Sequence, residues 1–309
     1  MIRKVKKFLG KSAYRLLRDW PYIPLEMASA RARPALSRRS IELPKLACYA
    51  SNGLDLCMLL GAKHADMGLF AAWSLMRFLP GARLKVFSDG SLEESHRAAF
   101  QALMENVNFV DSIEREEKAD AFFGNRYPLL KAWRANQIYG AKFTDFHLFG
   151  EGDRIVSIDS DILCFSEPTE LIECLDEKSP AMRWNMDSHS SYVAPTQILE
   201  KIVGWRVPER VNSGFLTCRR WCDADWDFFE NLLARMSVCD IDSGHFWAEQ
   251  TFYAMAAGLH SSAAPFSGRY VVAKGRIRRD TVMRHYVGVR SIRPRFFLEG
   301  VPKMLQQIA

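Results

Sequence analysis

The sequence predicts an α/β domain: a mostly parallel, Rossmann-like sheet flanked by helices, with a mixed second half. Three observations predict it. Apolar strand-like runs alternate with helical patterns between residues 54 and 158. Hydrophobic residues make up 48% of the 309, including 20 Phe and 8 Trp, enough for a sizeable core. Beyond residue 160 the runs shorten and polar loops intervene around 188–191 and 261–267, so mixed strands are expected there.

The elements follow in order. Residues 54–60 (LDLCMLL) read as a buried strand. Helical periodicity over 66–79 ends at Pro80-Gly81. Residues 83–87 form a second strand, closed by Ser88-Asp89-Gly90. A helix follows over 91–105, with Ser91 and Glu94 spaced as a capping box. Residues 107–110 are a third strand, 129–140 a helix and 154–158 a fourth strand; helices are expected over 223–236 and 246–258. In such a sheet the right-handed crossover puts ligands along the edge where the strands end.

The charge is uneven. Residues 1–45 hold 12 Lys and Arg against 3 Asp and Glu, whereas the remaining 264 hold 30 against 33. The mildly acidic main part argues against nucleic acid as a partner. Residues 2–20 place Ile2, Val5, Leu9, Leu16 and Trp20 on one helical face among Lys and Arg, the pattern of a basic amphipathic helix suited to an anionic membrane surface. Pro21, Pro24, Pro34 and Pro44 make 21–45 read as an irregular linker. The expected organisation is therefore 1–45, helix and linker, and 46–309, the α/β domain. No run of about 18 apolar residues is present, so no membrane-spanning helix is expected. Lys11, Arg15 and Arg18 interrupt any signal-peptide core. The seven cysteines are irregularly spaced and partly inside apolar runs, which points to free thiols and a cytoplasmic location, peripheral on the inner face of the membrane if residues 2–20 bind it.

The chemistry concentrates at residues 154–165 (RIVSIDSDILCF), where a buried strand runs into Asp159-Ser160-Asp161 and then into a second apolar run. Carboxylates two positions apart on extended chain project to the same side. They repel unless solvated or bridged by a cation, and hard divalent ions take such oxygen ligands while also bridging diphosphates. A solvated acidic turn is the competing reading, and the apolar framing weighs against it.

The run IVSIDSDIL resembles the DxD signature of GT-A glycosyltransferases, glycosyltransferase family eight and related bacterial enzymes in particular. Three further blocks resemble that family in the same order: VNSGFLT at 211–217, AEQTF at 248–252 and HYVG at 285–288. The resemblance implies a GT-A fold with Asp159, Asp161 and His285 as metal ligands, Asp159 also contacting the nucleotide. Imidazole favours Mn²⁺ slightly over Mg²⁺. It implies a nucleotide-sugar donor held by Asn212, Gly214, Asp187 and Gly288. The family's Lys three residues after that glycine is Ser291 here, with Arg290 or Arg293 as substitutes. Glu249 and Gln250 would act at the reacting carbon: Glu249 as general base in an inverting enzyme, or both orienting donor and acceptor in a retaining one. A helix-terminal Glu favoured by the dipole is the plainer reading of Glu249. Lys131 and Arg134 share a helix face and either reaches the diphosphate or is simply solvated. Asp89 is a turn residue with nucleotide contact as the functional reading.

The expected activity is transfer of a hexose from a nucleotide diphosphate sugar, UDP-sugar favoured, to a hydroxyl of a glycan or lipid-linked acceptor. A nucleotidyltransferase would need a Gly-rich basic loop after the first strand, which 61–68 (GAKHADMG) lacks. A sugar-binding scaffold without activity is a further alternative, disfavoured by the intact Asp159, Asp161 and His285. Dinucleotide and P-loop markers are absent from the sequence.

Overall fold

The computed structural model describes residues 19–47, 53–105, 107–176, 182–260, 262–272 and 276–308. The helix expected over 2–20 lies almost wholly outside them. The chain groups into two compact units, one of residues up to Leu43 together with Tyr286 onward, the other Pro44–His285.

In the first unit, α1 (Ile23–Arg38) occupies most of the stretch that reads as irregular linker. Pro24 falls in the first turn, where no amide donor is needed, and the Ala, Leu and Met content carries the helix past Pro34. Counting prolines without their helical position is what misleads. Arg290 clamps this unit, pairing with Glu26 at 2.6 Å and Asp19 at 2.7 Å.

The second unit runs β1 (Leu54–Leu60), α2 (Ala65–Met76), β2 (Arg83–Ser88), α3 (Glu94–Leu103), β3 (Asn108–Val110), α4 (Ser112–Phe123), α5 (Pro128–Asn136), α6 (Ile138–Leu148), β4 (Arg154–Ile158), β5 (Ile162–Cys164), α7 (Thr169–Asp176), β6 (Arg183–Met186), α8 (Thr196–Val203), β7 (Val211–Arg219), α9 (Asp223–Val238), α10 (Ala248–Ala257), β8 (Ala264–Pro265), β9 (Tyr270–Val272) and β10 (Met283–His285). A seven-stranded sheet has the order β3-β2-β1-β4-β7-β6-β8. The first four are parallel, as the alternation predicts, and β7 joins antiparallel to both neighbours. A small second sheet, β5-β10-β9, supplies the mixed half.

Two helices differ from expectation. The predicted capping box at Ser91 and Glu94 is instead made by Glu93 and His96, with His96 Nδ1 accepting the Glu93 amide at 3.1 Å. The Ser91 hydroxyl is drawn to Asp89 Oδ1 at 2.6 Å. The helix expected over 129–140 is two helices, separated by Gln137 in extended conformation. The second, α6, is buried from Gly140 to His147. Burial on every side leaves no polar stripe, so periodicity does not reveal it.

Large aromatic side chains fill the space between β7 and the helices α5, α6, α9 and α10, with Phe143 touching Trp133, Trp221, Phe229, Phe252 and Tyr253. This cluster fixes α6 and α10 side by side. All six described cysteines are free. Among the described residues no helix is long and apolar enough to cross a membrane.

Candidate active site

The Asp159-Ser160-Asp161 turn lies where β4 leaves the main sheet and the chain crosses into β5. The Asp159 amide donates to the Gly214 carbonyl at 2.7 Å, which continues the β4–β7 ladder by one residue. β5 then pairs antiparallel with β10, and His285 falls opposite Ile162. That register delivers His285 to the carboxylates from far along the chain. Its Nε2 is 3.0 Å from Asp161 Oδ1 and 3.6 Å from Asp159 Oδ2. One ligand atom from each of the three residues lies within 4.8 Å of the others.

Asn212 orients the imidazole. Its Oδ1 accepts from His285 Nδ1–H at 3.0 Å and from the Gly214 amide at 3.1 Å. Its Nδ2 donates to Asp187 Oδ2 at 3.2 Å. With Nδ1–H held by Asn212, Nε2 is the atom turned to Asp159 and Asp161: it donates to Asp161 when protonated and would offer its lone pair to an ion held between them. Burial lowers the His285 pKa, but the charges of Asp161 and Asp159 outweigh it and the net shift is upward. Two carboxylates and an imidazole held in one tautomer suit a divalent ion such as Mn²⁺ or Mg²⁺. Asn212 and Asp187, expected at the donor sugar, thus make a hydrogen-bonded chain to His285.

Beside the carboxylates lies a residue that sequence reasoning missed. Lys142, on α6, donates to Asp159 Oδ1 at 2.8 Å and to the Ser213 carbonyl at 3.3 Å, and its ammonium is 3.1 Å from Glu249 Oε1. Burial works against its charge, but Asp159 and Glu249 together raise its pKa. Glu249 also accepts from Ser213 Oγ at 3.2 Å. Burial, opposed by Lys142, pushes the Glu249 carboxyl up to about 7. Gln250 spans the site's wall: its Oε1 accepts the Ser213 amide at 3.3 Å and its Nε2 donates to the Ser191 carbonyl at 3.2 Å. The signal for Lys142 was a single Lys inside the apolar run IYGAKF.

The remaining expected residues divide. Asp89 sits at the end of β2, its amide on the Leu60 carbonyl at 3.0 Å, on the carboxyl edge of the sheet that also carries Asp159. Gly61 makes room for it, since a Cβ there would stand 2.0 Å from Asp89 Oδ2. Lys131 does not join the Asp159 group. It is half-buried and pairs with Asp120 at 3.0 Å, so the cation at Asp159 is Lys142. Arg134 is buried and bonds Asp145 and Glu116, each at 2.7 Å. Gly288 lies in the first unit, followed by Arg290 in its clamp.

No family model and no curated protein matches this sequence. The fold is that of solved GT-A glycosyltransferases. It matches mouse xyloside xylosyltransferase 1 with a TM-score of 0.50 at 17% identity, covering 76% of this chain and 98% of that one. It matches the bifunctional glycosyltransferase WbbM with a TM-score of 0.53 at 12% identity, covering 85% of this chain and 52% of that one. For the galactosyltransferase LgtC, solved with donor and acceptor sugar analogues, the values are 0.46 and 14%, with 82% and 94% covered.

Proposed function

We propose that this chain is a metal-dependent glycosyltransferase that moves a hexose from a nucleotide diphosphate sugar, a UDP-sugar by preference, to an acceptor hydroxyl. The observation that carries the reading is the convergence of Asp159, Asp161 and His285 at the sheet's carboxyl edge, with the Lys142–Glu249 pair against it. The two carboxylates and His285 Nε2 would hold Mn²⁺ or Mg²⁺. When bound, such an ion supplies positive charge against the diphosphate and so assists its departure.

The chain's own residues supply the rest. Lys142 fixes Asp159 and adds a buried positive charge whose orientation costs no rearrangement during reaction. Asn212 keeps the proton on His285 Nδ1. Asp89 is the nucleotide-side candidate, and Asp187 and Gly214 line the donor side. A Glu249 carboxyl near 7 is suited to take the acceptor hydroxyl's proton on Oε1 or Oε2 if the reaction inverts, and to orient the acceptor with Gln250 if it retains.

For the acceptor, a cell-envelope or lipid-linked glycan at the cytoplasmic face of a membrane fits the positive balance of residues 1–45. Co-sedimentation of the full chain with phosphatidylglycerol vesicles, and not with phosphatidylcholine vesicles, is the expected result; equal behaviour in both sinks the membrane part.

The decisive experiment is titration calorimetry of UDP with and without Mn²⁺, on wild type and Asp161→Ala. Mn²⁺-dependent binding lost in the variant is expected. UDP binding indifferent to metal and mutation overturns the metal role, and absence of binding to UDP, GDP and other nucleotides leaves a sugar-binding scaffold.

A further inference from the structure

Above the Lys142–Glu249 pair the surface changes character. α6 runs beside β7 in the same direction: Lys142 lies at Ser213, and His147 Nε2 is 3.9 Å from Cys218 Sγ. α10 runs beside α6 in the same sense, with Glu249 at Lys142 and Tyr253 against Phe143. Both helices therefore begin at one rim, beyond the site. The first residues of α6 and the approach to α10 project there.

Those residues are aromatic or apolar, and exposed. Ile138 is 50% exposed, Tyr139 42% and Phe246 57%. Tyr139 precedes Lys142 by three positions, which puts both on one helix face. Phe246 belongs to a three-ring cluster: its ring stacks on His245 at 4.4 Å and 30°, and Trp247 lies 5.3 Å away. The loop carrying them is anchored, because Trp133 Nε1 donates to the Ser243 carbonyl at 2.7 Å. His245 Nδ1 accepts the Trp247 amide at 3.1 Å, which directs the ring proton to Nε2, a donor. An anchored group of exposed rings at the mouth of a polar site marks a binding surface more than scattered exposure does.

We infer that Phe246 and Tyr139 form the acceptor subsite, stacking on a pyranose ring of a glycan acceptor. The inference rests on the glycosyltransferase reading of the Lys142–Glu249 site. A pyranose ring presents C–H groups, polarised by adjacent oxygens, that pack on the negative face of an aromatic ring. Its hydroxyls point outward in the ring plane, where His245 Nε2–H offers a donor. An alkyl chain would use the rings but not that donor. Stacking here brings a hydroxyl toward Glu249, three residues from Phe246.

The test is saturation-transfer NMR on the full chain with UDP and Mg²⁺, using lactose and monomeric octyl β-glucoside as probes. Pyranose C–H protons should be saturated in wild type. The effect should fall several-fold in Phe246→Ala and Tyr139→Ala and persist in Phe246→Tyr, with thermal unfolding showing each variant folded. Three results overturn the inference: equal saturation in Phe246→Ala, saturation of the octyl chain alone, or no response from either sugar. Calorimetry of UDP and Mn²⁺ on the same wild-type sample separates the failures. Sugar saturation without nucleotide binding removes the donor reading and keeps the rim, and the converse removes the rim alone.

Discussion

Gly214 leaves open the space that His285 occupies: a Cβ on Gly214 would lie 2.2 Å from His285 Cε1 and 2.7 Å from Asp159 Oδ2. The glycine thus serves the metal-ligand candidates themselves, whatever sugar also approaches it. Gly214→Ala should displace His285 or Asp159 while leaving the sheet intact. We expect Mn²⁺-dependent UDP binding to weaken by roughly 10-fold or more, the scale seen when ligand orientation is lost. Calorimetry reads it, and unchanged affinity in the folded variant would remove the steric account.

Asn212 tests orientation without steric pressure. Asn212→Leu keeps similar volume and removes the acceptor for His285 Nδ1–H. Loss of such an outer hydrogen bond costs about 10–100-fold in metal affinity. Asn212→Asp combined with Asp187→Asn retains an acceptor at that position and the hydrogen bond between the two side chains, and should recover most of the binding. Direct Mn²⁺ titration followed by electron paramagnetic resonance distinguishes the two; equal loss in both would assign Asn212 to the sugar instead.

Legibility followed the length scale of the interactions. β1 and β4 match their predicted spans residue for residue, because strands buried on both faces read as nearly continuous apolar runs, interrupted here only by Asp55 in β1 and by Arg154 and Ser157 in β4. Asp159 and Asp161 were readable because their relation is local, two positions on extended chain. His285 reaches them only through β10–β5 pairing, so its place came from family resemblance and not from any pattern around it. The partners of Lys142 were illegible for the same reason, since Asp159 and Glu249 are remote in sequence and no spacing signals them; only the lone Lys within IYGAKF stood out. α1 was hidden by Pro24, which its first turn tolerates, and by Pro34 in its interior, and α6 by burial on every side.

The Lys142–Glu249 pair makes a prediction about stability. Both side chains are almost fully buried, and Lys142 also neutralises Asp159. Removing Lys142 strands a buried charge where Glu249 is ionised, at a cost of up to roughly 3–5 kcal/mol that shrinks where the carboxyl takes up a proton, whereas replacing both with apolar groups of similar volume is far milder. Lys142→Met should therefore be more destabilised in urea than Lys142→Met combined with Glu249→Met. Additive losses would mean that the two residues are not coupled. In Lys142→Met the Glu249 carboxyl, already raised by burial, should titrate higher still, because the ammonium that lowers it is gone.

His147 gives the fold an acid sensitivity with a defined sign. It is buried on α6, stacked on Trp221 at 3.7 Å, and its Nδ1 accepts the Trp221 amide at 3.3 Å. Burial first, then the charges of Arg219 and Arg220, hold its pKa well below the ordinary 6.5. The unfolded chain therefore takes up a proton that the folded chain refuses. The contribution of neutral His147 to stability is complete above pH 6.5 and is lost as pH falls below it, at up to about 1.4 kcal/mol per pH unit. Glu249 has the opposite slope between its ordinary value of 4.5 and about 7, because its carboxyl is easier to ionise in the unfolded chain. The diagnostic quantity is thus the difference between wild type and His147→Gln in urea unfolding at a series of pH values. That difference should shrink steadily below pH 6.5 as wild type loses its advantage. A constant difference down to pH 5 would mean that His147 protonates in the folded state, and the buried neutral imidazole would have to be abandoned.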